Sequence, residues 1–285
     1  MTEKRTDDVT SVLVIGATGA VGRHLVLQLA AAGVRVRALT RRGDRARQRG
    51  HVQGDLLDPD SLRAAARGID AAFLAWPLPT AEGAAGAVAA LAGEVGRVVQ
   101  LSSAAVRDAP GAGPRGPAGE VEALLAGSGV RHTALRPYGF AADALRWAEE
   151  IRTGGAVQGY GGAAGLHPVD ERDVAAVAVR ALLDDGHDGA RHLLTGPGAP
   201  TQAEQVRIIG EAAGRPARWE EVPRGTARRR MLAAGRPPAE ADAALDLVQA
   251  RLTDPDPVTT TVRDVTGRPA RSFRTWAADH AALFR

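Results

Sequence analysis

The sequence contains no cysteine and a single lysine, Lys4. The absence of cysteine excludes disulfide bonds, thiolate zinc sites and cysteine nucleophiles. All other basic residues are arginines, which stay charged to very high pH, and this explains a pI of about 10.1 at a formal net charge of only +3. The high pI is therefore no evidence for nucleic-acid binding, and we expect no nucleic-acid partner.

Long hydrophobic runs are also missing. No uncharged apolar segment is long enough to cross a bilayer, and the polar tail over residues 1–10 lacks the apolar core of a signal peptide. We therefore expect a cytoplasmic protein with no membrane association. The 285 residues, 45% hydrophobic and 24% charged, have the balance of a globular chain with one large or two intimate domains.

The first half alternates short β-branched runs with alanine-rich helical segments. Strands are predicted over residues 11–16, 34–40, 51–55, 69–76, 97–103 and 130–137. This order is typical of an α/β fold, a doubly wound parallel sheet of the Rossmann type, which we assign to residues 11–153. The mixed pattern that follows predicts a smaller, interleaved C-terminal α+β substrate lobe over 154–285, with one of its strands at 258–264.

A glycine-rich turn directly follows the first predicted strand and opens a helix. Its glycines are Gly16, Gly19 and Gly22, in the segment VIGATGAVG. Such glycines permit a tight turn, close approach of a pyrophosphate and close packing of helix on sheet, while the helix N-terminus favours the phosphate charge. The predicted contacts are therefore Gly16, Thr18, Gly19, Ala20, Val21 and Gly22.

The end of the second predicted strand indicates which dinucleotide binds. An NAD site usually has an acidic residue there, about 20 positions after the glycines, to hold the ribose 2′-hydroxyl. This sequence has Thr40, Arg41 and Arg42 instead. A guanidinium can bind a 2′-phosphate with two hydrogen bonds, so we predict NADP(H) as the cofactor. The alternative is that Arg41 and Arg42, with Arg45, Arg47 and Arg49, form a solvated face or a nucleic-acid patch. The patch is the weaker alternative, because no aromatic residues are interleaved and Asp44 interrupts it.

Further segments occur in a characteristic order along the chain. They are ALTRR (38–42), GDLLDPDSL (54–62), VVQLSS (98–103), SGVRHTALRPYGF (128–140), HPVDERDVAAVAVRAL (167–182), LLTGPG (193–198) and VTGRPARSF (265–273). With the glycine turn, they make the chain resemble the NmrA-like group of the atypical short-chain dehydrogenases/reductases over nearly its whole length. The resemblance implies a Rossmann domain with a small substrate lobe.

The resemblance also implies positions around the cofactor. Asp55 and Leu56 would lie near the adenine. The residues implied around the nicotinamide, at the ends of the fourth to sixth strands, are Ala75, Trp76, Ser102, Ser103, Pro137 and Tyr138. Asp143 stands where many relatives have an asparagine, so no role is carried over to it.

The proton-transfer pair of ordinary short-chain dehydrogenases is absent from this sequence. That pair is Tyr-x-x-x-Lys, but Ala142 follows Tyr138 at the lysine position and Ala164 follows Tyr160. An acceptor that needs little protonation help, such as a quinone, an imine or an enone, fits this lack, because the cofactor supplies the difficult step. The catalytic candidates are Tyr138 and His167, and the alternative for each is a lining or packing role.

Four of the ten aromatic residues fall where the wall of the predicted crevice should be: Trp76, Phe140, Trp147 and Tyr160. With Ser103 and Tyr138 they form the predicted substrate site, which would take a small apolar or aromatic molecule. Core packing is the alternative for these aromatics. The acidic residues near His167 favour helix capping and first-turn positions, so no metal site is predicted.

Three functions remain open from the sequence. The first is an NADPH-dependent reductase of a small aromatic or conjugated acceptor, with a role in secondary metabolism. The second is an NADP(H)-sensing regulatory protein without turnover, which the missing Tyr-Lys pair favours. The third is a non-redox cyclase or isomerase on the same fold. The sequence does not decide between a monomer and a homodimer.

Overall fold

The computed structural model describes residues 9–41, 51–106, 116–253 and 256–285. Its contacts divide the chain into two compact units that are interleaved in sequence. Unit 1 comprises Met1–Pro137, Glu171–Leu194 and Thr261–Arg268, and unit 2 comprises Tyr138–Asp170, Thr195–Thr260 and Pro269–Arg285. The predicted division between residues 153 and 154 falls inside unit 2.

The described residues form nine strands in two sheets. The strands are β1 (Ser11–Ile15), β2 (Arg35–Thr40), β3 (His51–Gln53), β4 (Ala71–Ala75), β5 (Arg97–Leu101), β6 (Arg131–Pro137), β7 (Ala156–Gly159), β8 (Arg191–Leu194) and β9 (Arg218–Glu221). Unit 1 holds a seven-stranded sheet in the order β3-β2-β1-β4-β5-β6-β8, and every neighbouring pair is parallel. The predicted Rossmann-type α/β fold is confirmed.

Helices surround this sheet and build unit 2. They are α1 (Gly22–Ala31), α2 (Pro59–Ala66), α3 (Ala84–Ala92), α4 (Gly116–Gly127), α5 (Ala148–Thr153), α6 (Glu171–Leu183), α7 (Gln202–Ala213), α8 (Arg224–Ala233), α9 (Pro238–Thr253), α10 (Thr261–Thr266) and α11 (Phe273–Asp279). Within the described ranges, no helix is both long and apolar enough to cross a membrane.

The core of unit 1 lies between the sheet and its helices. Leu13 and Leu74 of the central strands pack with Leu62 of α2, Leu91 of α3 and Leu125 of α4. Helices α1 and α6 pack against each other, and α10 packs on α6. The central strands β1, β4 and β5 are almost continuously buried, because both faces of a parallel sheet are covered there.

Unit 2 has its own core around a small parallel sheet of β7 and β9. Two 3₁₀ segments, Ala141–Trp147 and Ala281–Phe284, complete this unit. Trp147 and Trp276 are buried there together with residues of α7 such as Ile209. The described contacts give each unit an apolar interior.

The strand predicted over 258–264 is wrong. Thr261 begins the helix α10, and Thr259 and Thr260 have no regular structure. The run VTTTV is rich in β-branched residues, which predicts a strand. The backbone N–H of Thr259 instead donates to the hydroxyl of Thr195 at 2.9 Å, so a side chain takes the place of a sheet partner.

Candidate functional site

The turn between β1 and α1 depends on its glycines. Gly16 has a φ of 88°, and a Cβ there would stand 2.9 Å from the Cβ of Ala75. A Cβ on Gly22 would overlap the Gly16 carbonyl oxygen and approach its carbon to 2.8 Å. The N–H of Gly19 donates to the same carbonyl oxygen at 2.9 Å and closes the turn. Any side chain at Gly22 would push α1 away from the sheet.

The N-terminus of α1 is open to an anion. No side chain caps it at Val21, and its first turn has no acidic residue. The first N–H groups of a helix lack partners within the helix and lie at the positive end of its dipole. Together with the glycine turn, this end fits the pyrophosphate of a dinucleotide.

A groove of about 310 Å³ in unit 1 adjoins this turn. Its lining residues are Ile15, Gly16, Ala17, Thr18, Leu39, Thr40, Arg41, Gly54, Asp55, Leu56, Leu57, Ala75, Pro77 and Leu78. Six predicted cofactor contacts are therefore brought together, from four separate strand ends. Sequence reasoning missed further lining residues: Ile15, Ala17, Leu39, Gly54, Leu57, Pro77 and Leu78. All lie within two positions of a predicted site residue.

The loop after β3 is fixed by its own polar groups. The Asp55 N–H donates to the hydroxyl of Ser61 at 3.1 Å, and the Asp55 carboxylate accepts from the N–H of Leu57 at 3.0 Å. Asp58 then caps α2 by accepting from the N–H groups of Asp60 and Ser61. The loop with Asp55 and Leu56, the predicted adenine contacts, is thus held by hydrogen bonds within the protein.

The edge of the groove at the end of β2 carries a positive charge. Arg41 is exposed there beside Thr40, and neither residue is acidic. A carboxylate at this position would repel a 2′-phosphate, whereas a guanidinium attracts it. Arg42 lies outside the described residues.

The predicted residues at the ends of β4 and β5 make contacts within the protein. The indole N–H of Trp76 donates to the Thr80 carbonyl at 2.7 Å. The hydroxyl of Ser103 accepts from the Ala105 N–H at 3.1 Å. Pro137 ends β6, and its carbonyl accepts from Ala104 at 3.0 Å. None of these three lines the described groove of unit 1.

Ser102 belongs to a buried charged network. Its hydroxyl donates to the carboxylate of Glu122, which also binds the Arg136 guanidinium through two hydrogen bonds of 3.0 and 2.6 Å. All three residues are buried. The pairing satisfies charges that would otherwise be costly to bury.

A second pocket, of about 190 Å³, lies wholly within unit 2. Its lining residues are Tyr138, Gly139, Phe140, Asp143, Ala144, Arg146, Leu166, His167, Pro168, Gln202, Gln205, Val248 and Arg251. Both catalytic candidates meet here, since the rings of Tyr138 and His167 lie 5.8 Å apart. Phe140 is the only other predicted substrate contact on this wall.

His167 is only 3% exposed. Its Nδ1 atom is buried without a hydrogen-bond partner among the described residues. Burial lowers the pKa of His167, which Asp256 raises and Arg251 lowers to a smaller extent. The imidazole is therefore neutral near pH 7, with one ring nitrogen able to donate and the other able to accept.

Trp147 and Tyr160 lie outside this pocket. Trp147 is 4% exposed and packs edge to face on Trp219, with ring centroids 6.0 Å apart. The Tyr160 hydroxyl donates to the side chain of Gln249. Trp147 therefore belongs to the core of unit 2, and Tyr160 forms a hydrogen bond at the surface.

The polar half of the pocket was not predicted. Arg146, Gln202, Gln205 and Arg251 come from three distant segments, and no spacing rule links them. Only Arg146 lies near a segment that carries the family resemblance, SGVRHTALRPYGF, which ends at Phe140.

In the part of the chain that the structure describes, no group of three His, Asp or Glu residues could hold a metal ion.

Comparison with known proteins agrees with this geometry. Residues 16–185 match the NAD(P)H-binding family. The chain is 42% identical over 281 residues to (4-alkanoyl-5-oxo-2,5-dihydrofuran-3-yl)methyl phosphate reductase of Streptomyces griseus subsp. griseus, with 96% of this chain and 99% of the relative covered. It is 35% identical over 288 residues to NAD(P)H azoreductase of Xenophilus azovorans, with 96% and 99% covered.

A solved structure shares the fold. The NADPH-dependent quinone oxidoreductase of Escherichia coli, complexed with NADPH, superposes with a TM-score of 0.78 at 22% identity, covering 96% of this chain and all of that one. The parallel sheet and its glycine turn define a Rossmann-type dinucleotide-binding protein. The chain belongs to the NAD(P)H-binding family, and it is an NAD(P)H-dependent oxidoreductase.

Proposed function

We propose that the chain is an NADPH-dependent reductase of a small conjugated acceptor, an enone before a quinone or an imine. The observation that carries the cofactor preference is the edge of the unit 1 groove, where Thr40 and Arg41 stand in place of an acidic residue. When bound, the dinucleotide supplies a hydride, and the acceptor takes up one further proton. The glycine turn and the loop of Asp55 orient the cofactor.

The acceptor class is inferred from the relatives. The name of the 42% identical reductase describes an unsaturated lactone, and that of the 35% identical one an azo compound. Both contain a double bond that accepts a hydride without strong acid catalysis. That chemistry agrees with a chain that lacks the Tyr-x-x-x-Lys pair. The lactone relative is the more similar, so an unsaturated lactone is the first acceptor to test.

Two side chains of unit 2 are assigned to the acceptor. Tyr138 offers a hydroxyl, and the neutral His167 offers a ring nitrogen, both on the wall of one pocket. We assign Tyr138 to orienting the acceptor, while His167 can hold or pass the proton near neutral pH. These reductase-type features favour turnover over a purely sensory role.

The test is a steady-state assay of cofactor oxidation with an unsaturated lactone, a quinone and an azo dye. We expect a kcat/KM with NADPH at least about 10-fold higher than with NADH, and the highest rate with the lactone. The variant Gly22→Val is the matched inactive control, since it removes cofactor binding. Rates equal to the uncatalysed reaction for every acceptor would refute the proposal.

A further inference from the structure

The pocket of unit 2 contains a guanidinium that has no carboxylate partner among the described residues. Arg146 lies over the ring of Trp147, with its central carbon 4.5 Å from the ring centroid. One of its nitrogens donates to the Gln202 side-chain oxygen at 3.3 Å. Among the described residues, no carboxylate is hydrogen-bonded to Arg146 or forms an ion pair with it. Because Trp147 is held in the core of unit 2, it is a firm platform for this cation.

The charges around Arg146 leave positive charge in excess. Arg251 is matched by Asp256 at 2.7 Å, with only 14% and 12% of the two side chains exposed. Burial lowers the pKa of Arg146, which Asp143 raises and Arg236 lowers to a smaller extent. The Asp143 carboxylate also accepts from the N–H of Phe140 at 3.0 Å. These charged groups thus comprise three guanidinium groups and two carboxylates.

His167 adds a second, independent sign of a ligand. It lines the same pocket, and its buried Nδ1 is unpartnered among the described residues. A buried polar atom without a hydrogen bond destabilises the folded protein, so such atoms are rare. An unpartnered ring nitrogen and a guanidinium without an ion pair, on the wall of one pocket, are expected where a polar ligand group binds.

The size of the pocket limits what can enter. Sites for whole small molecules usually measure about 300–1,000 Å³. At about 190 Å³, this pocket is smaller, and half of its wall is polar. It therefore suits one compact charged group of a substrate better than a flat aromatic ring.

We propose that Arg146 is a specificity-determining residue that binds a phosphate monoester carried by the acceptor, within the pocket of unit 2. The guanidinium has a planar pair of N–H donors that matches two phosphate oxygens, and phosphate monoesters are largely dianionic near pH 7. This inference rests on the proposed reductase function for its substrate, but the binding step itself does not require turnover.

The first test compares two acceptors that differ only in charge. They are an unsaturated lactone with a phosphorylated hydroxymethyl group and the same lactone with the free alcohol, each with saturating NADPH. For the wild type we expect kcat/KM to be at least about 30-fold higher for the phosphate. In Arg146→Met this preference should fall to below about 3-fold, mainly through a higher KM for the phosphate.

Matched variants separate the site from general charge effects. Arg229→Met removes the same charge from an exposed position of unit 2 outside the pocket and should keep the preference. Arg146→Lys should restore part of it, because the charge remains without the paired donors. Thermal unfolding of each variant checks that the fold is intact.

The second test measures binding without turnover. Calorimetry with benzyl phosphate is carried out on the protein saturated with NADP⁺, so that the phosphate-binding turn of unit 1 is occupied. We expect one site, lost in Arg146→Met and retained in Arg41→Ala.

The outcomes distinguish the two proposals. Reduction of both lactones with equal efficiency would overturn the phosphate site and leave the reductase function standing. Arg146-dependent binding of benzyl phosphate without reduction of either lactone would do the reverse. Equal phosphate preference in the wild type and in Arg146→Met would also overturn the assignment.

Discussion

The groove of unit 1 depends on glycines where a side chain would not fit, whereas the pocket of unit 2 depends on the polar side chains that line it. In the groove and its glycine turn, a Cβ at Gly16, Gly22 or Gly54 would come closer than 3.0 Å to another atom, and the donors at the α1 N-terminus belong to the backbone. In the pocket, polar side chains such as Arg146 and His167 form part of the wall.

This difference separates two tasks. A backbone site is insensitive to most substitutions but tolerates no added atoms, which suits a cofactor that does not vary. A side-chain site can change its specificity by single substitutions without disturbing the sheet, which suits the choice of acceptor. The two regions should therefore respond in opposite ways to enlarging and to truncating mutations.

The largest effect is expected from enlarging Gly22. In Gly22→Val the new side chain must overlap the Gly16 carbonyl, so α1 cannot keep its position against the sheet. We expect the affinity for NADPH to fall by more than about 100-fold, or the free energy of unfolding by about 3 kcal/mol or more. Calorimetry and denaturant unfolding measure the two quantities.

Its control is a glycine of unit 1 with open surroundings. Gly127, at the end of α4, has no atom within 4 Å of the position a Cβ would take. Gly127→Ala should leave NADPH binding unchanged and unfolding within about 0.5 kcal/mol. If Gly22→Val behaved like this control, NADPH binding would not depend on the close packing of Gly22 against Gly16.

Histidines sharpen the comparison, because both units have a ring nitrogen that is buried without a partner among the described residues. In unit 1 these nitrogens belong to His51 and to His132 on β6, and burial, the largest cause, lowers the pKa of His132 from its usual value near 6.5 to about 4. Between about pH 6.5 and pH 4, His132 is protonated in the unfolded chain and neutral in the folded chain. Stability is therefore full above about pH 6.5 and falls as the pH drops toward 4.

The expected contribution of His132 is at most about 3.5 kcal/mol, since one pKa unit corresponds to about 1.4 kcal/mol. His132→Phe should abolish that part of the acid destabilisation, measured by urea unfolding between pH 7 and 4. A ligand of the unit 2 pocket should perturb the NMR signals of His167 and leave those of His132 unchanged. Parallel pH profiles for the wild type and the variant would contradict this assignment.

A smaller effect is expected from truncation at the groove edge. Arg41→Ala should weaken NADPH binding by about 10- to 100-fold, because a charged hydrogen bond contributes about 1.5–3 kcal/mol, and should change NADH binding less than about 2-fold. Arg35, exposed at the other end of β2, supplies the charge-matched control Arg35→Ala. Equal losses for both cofactors would reject the 2′-phosphate assignment. The double variant Arg41→Ala/Arg42→Ala tests both predicted arginines together.

The same contrast explains what could be predicted from the sequence. The sheet and the glycine turn could be predicted, because each strand, and the spacing from Gly16 to Gly22, is a pattern within one short segment of the chain. The unit 2 pocket could not be predicted, since Arg146, Gln202 and Arg251 meet only through folding of distant segments. Trp147 illustrates the limit: its aromatic character predicts either a wall or a core, and only packing shows that it is buried.

The smallest expected effect is that of the Tyr138 hydroxyl. Tyr138→Phe keeps the ring beside His167 and removes one polar group, which typically contributes about 0.5–1.5 kcal/mol. We expect kcat/KM for the lactone to fall by about 3- to 10-fold, with NADPH affinity unchanged. A loss above about 1,000-fold would mean that Tyr138 is an essential proton donor, in which case this pocket supplies chemistry as well as selection. No change at all would remove Tyr138 from the acceptor site and leave Arg146 as the side chain that distinguishes one acceptor from another.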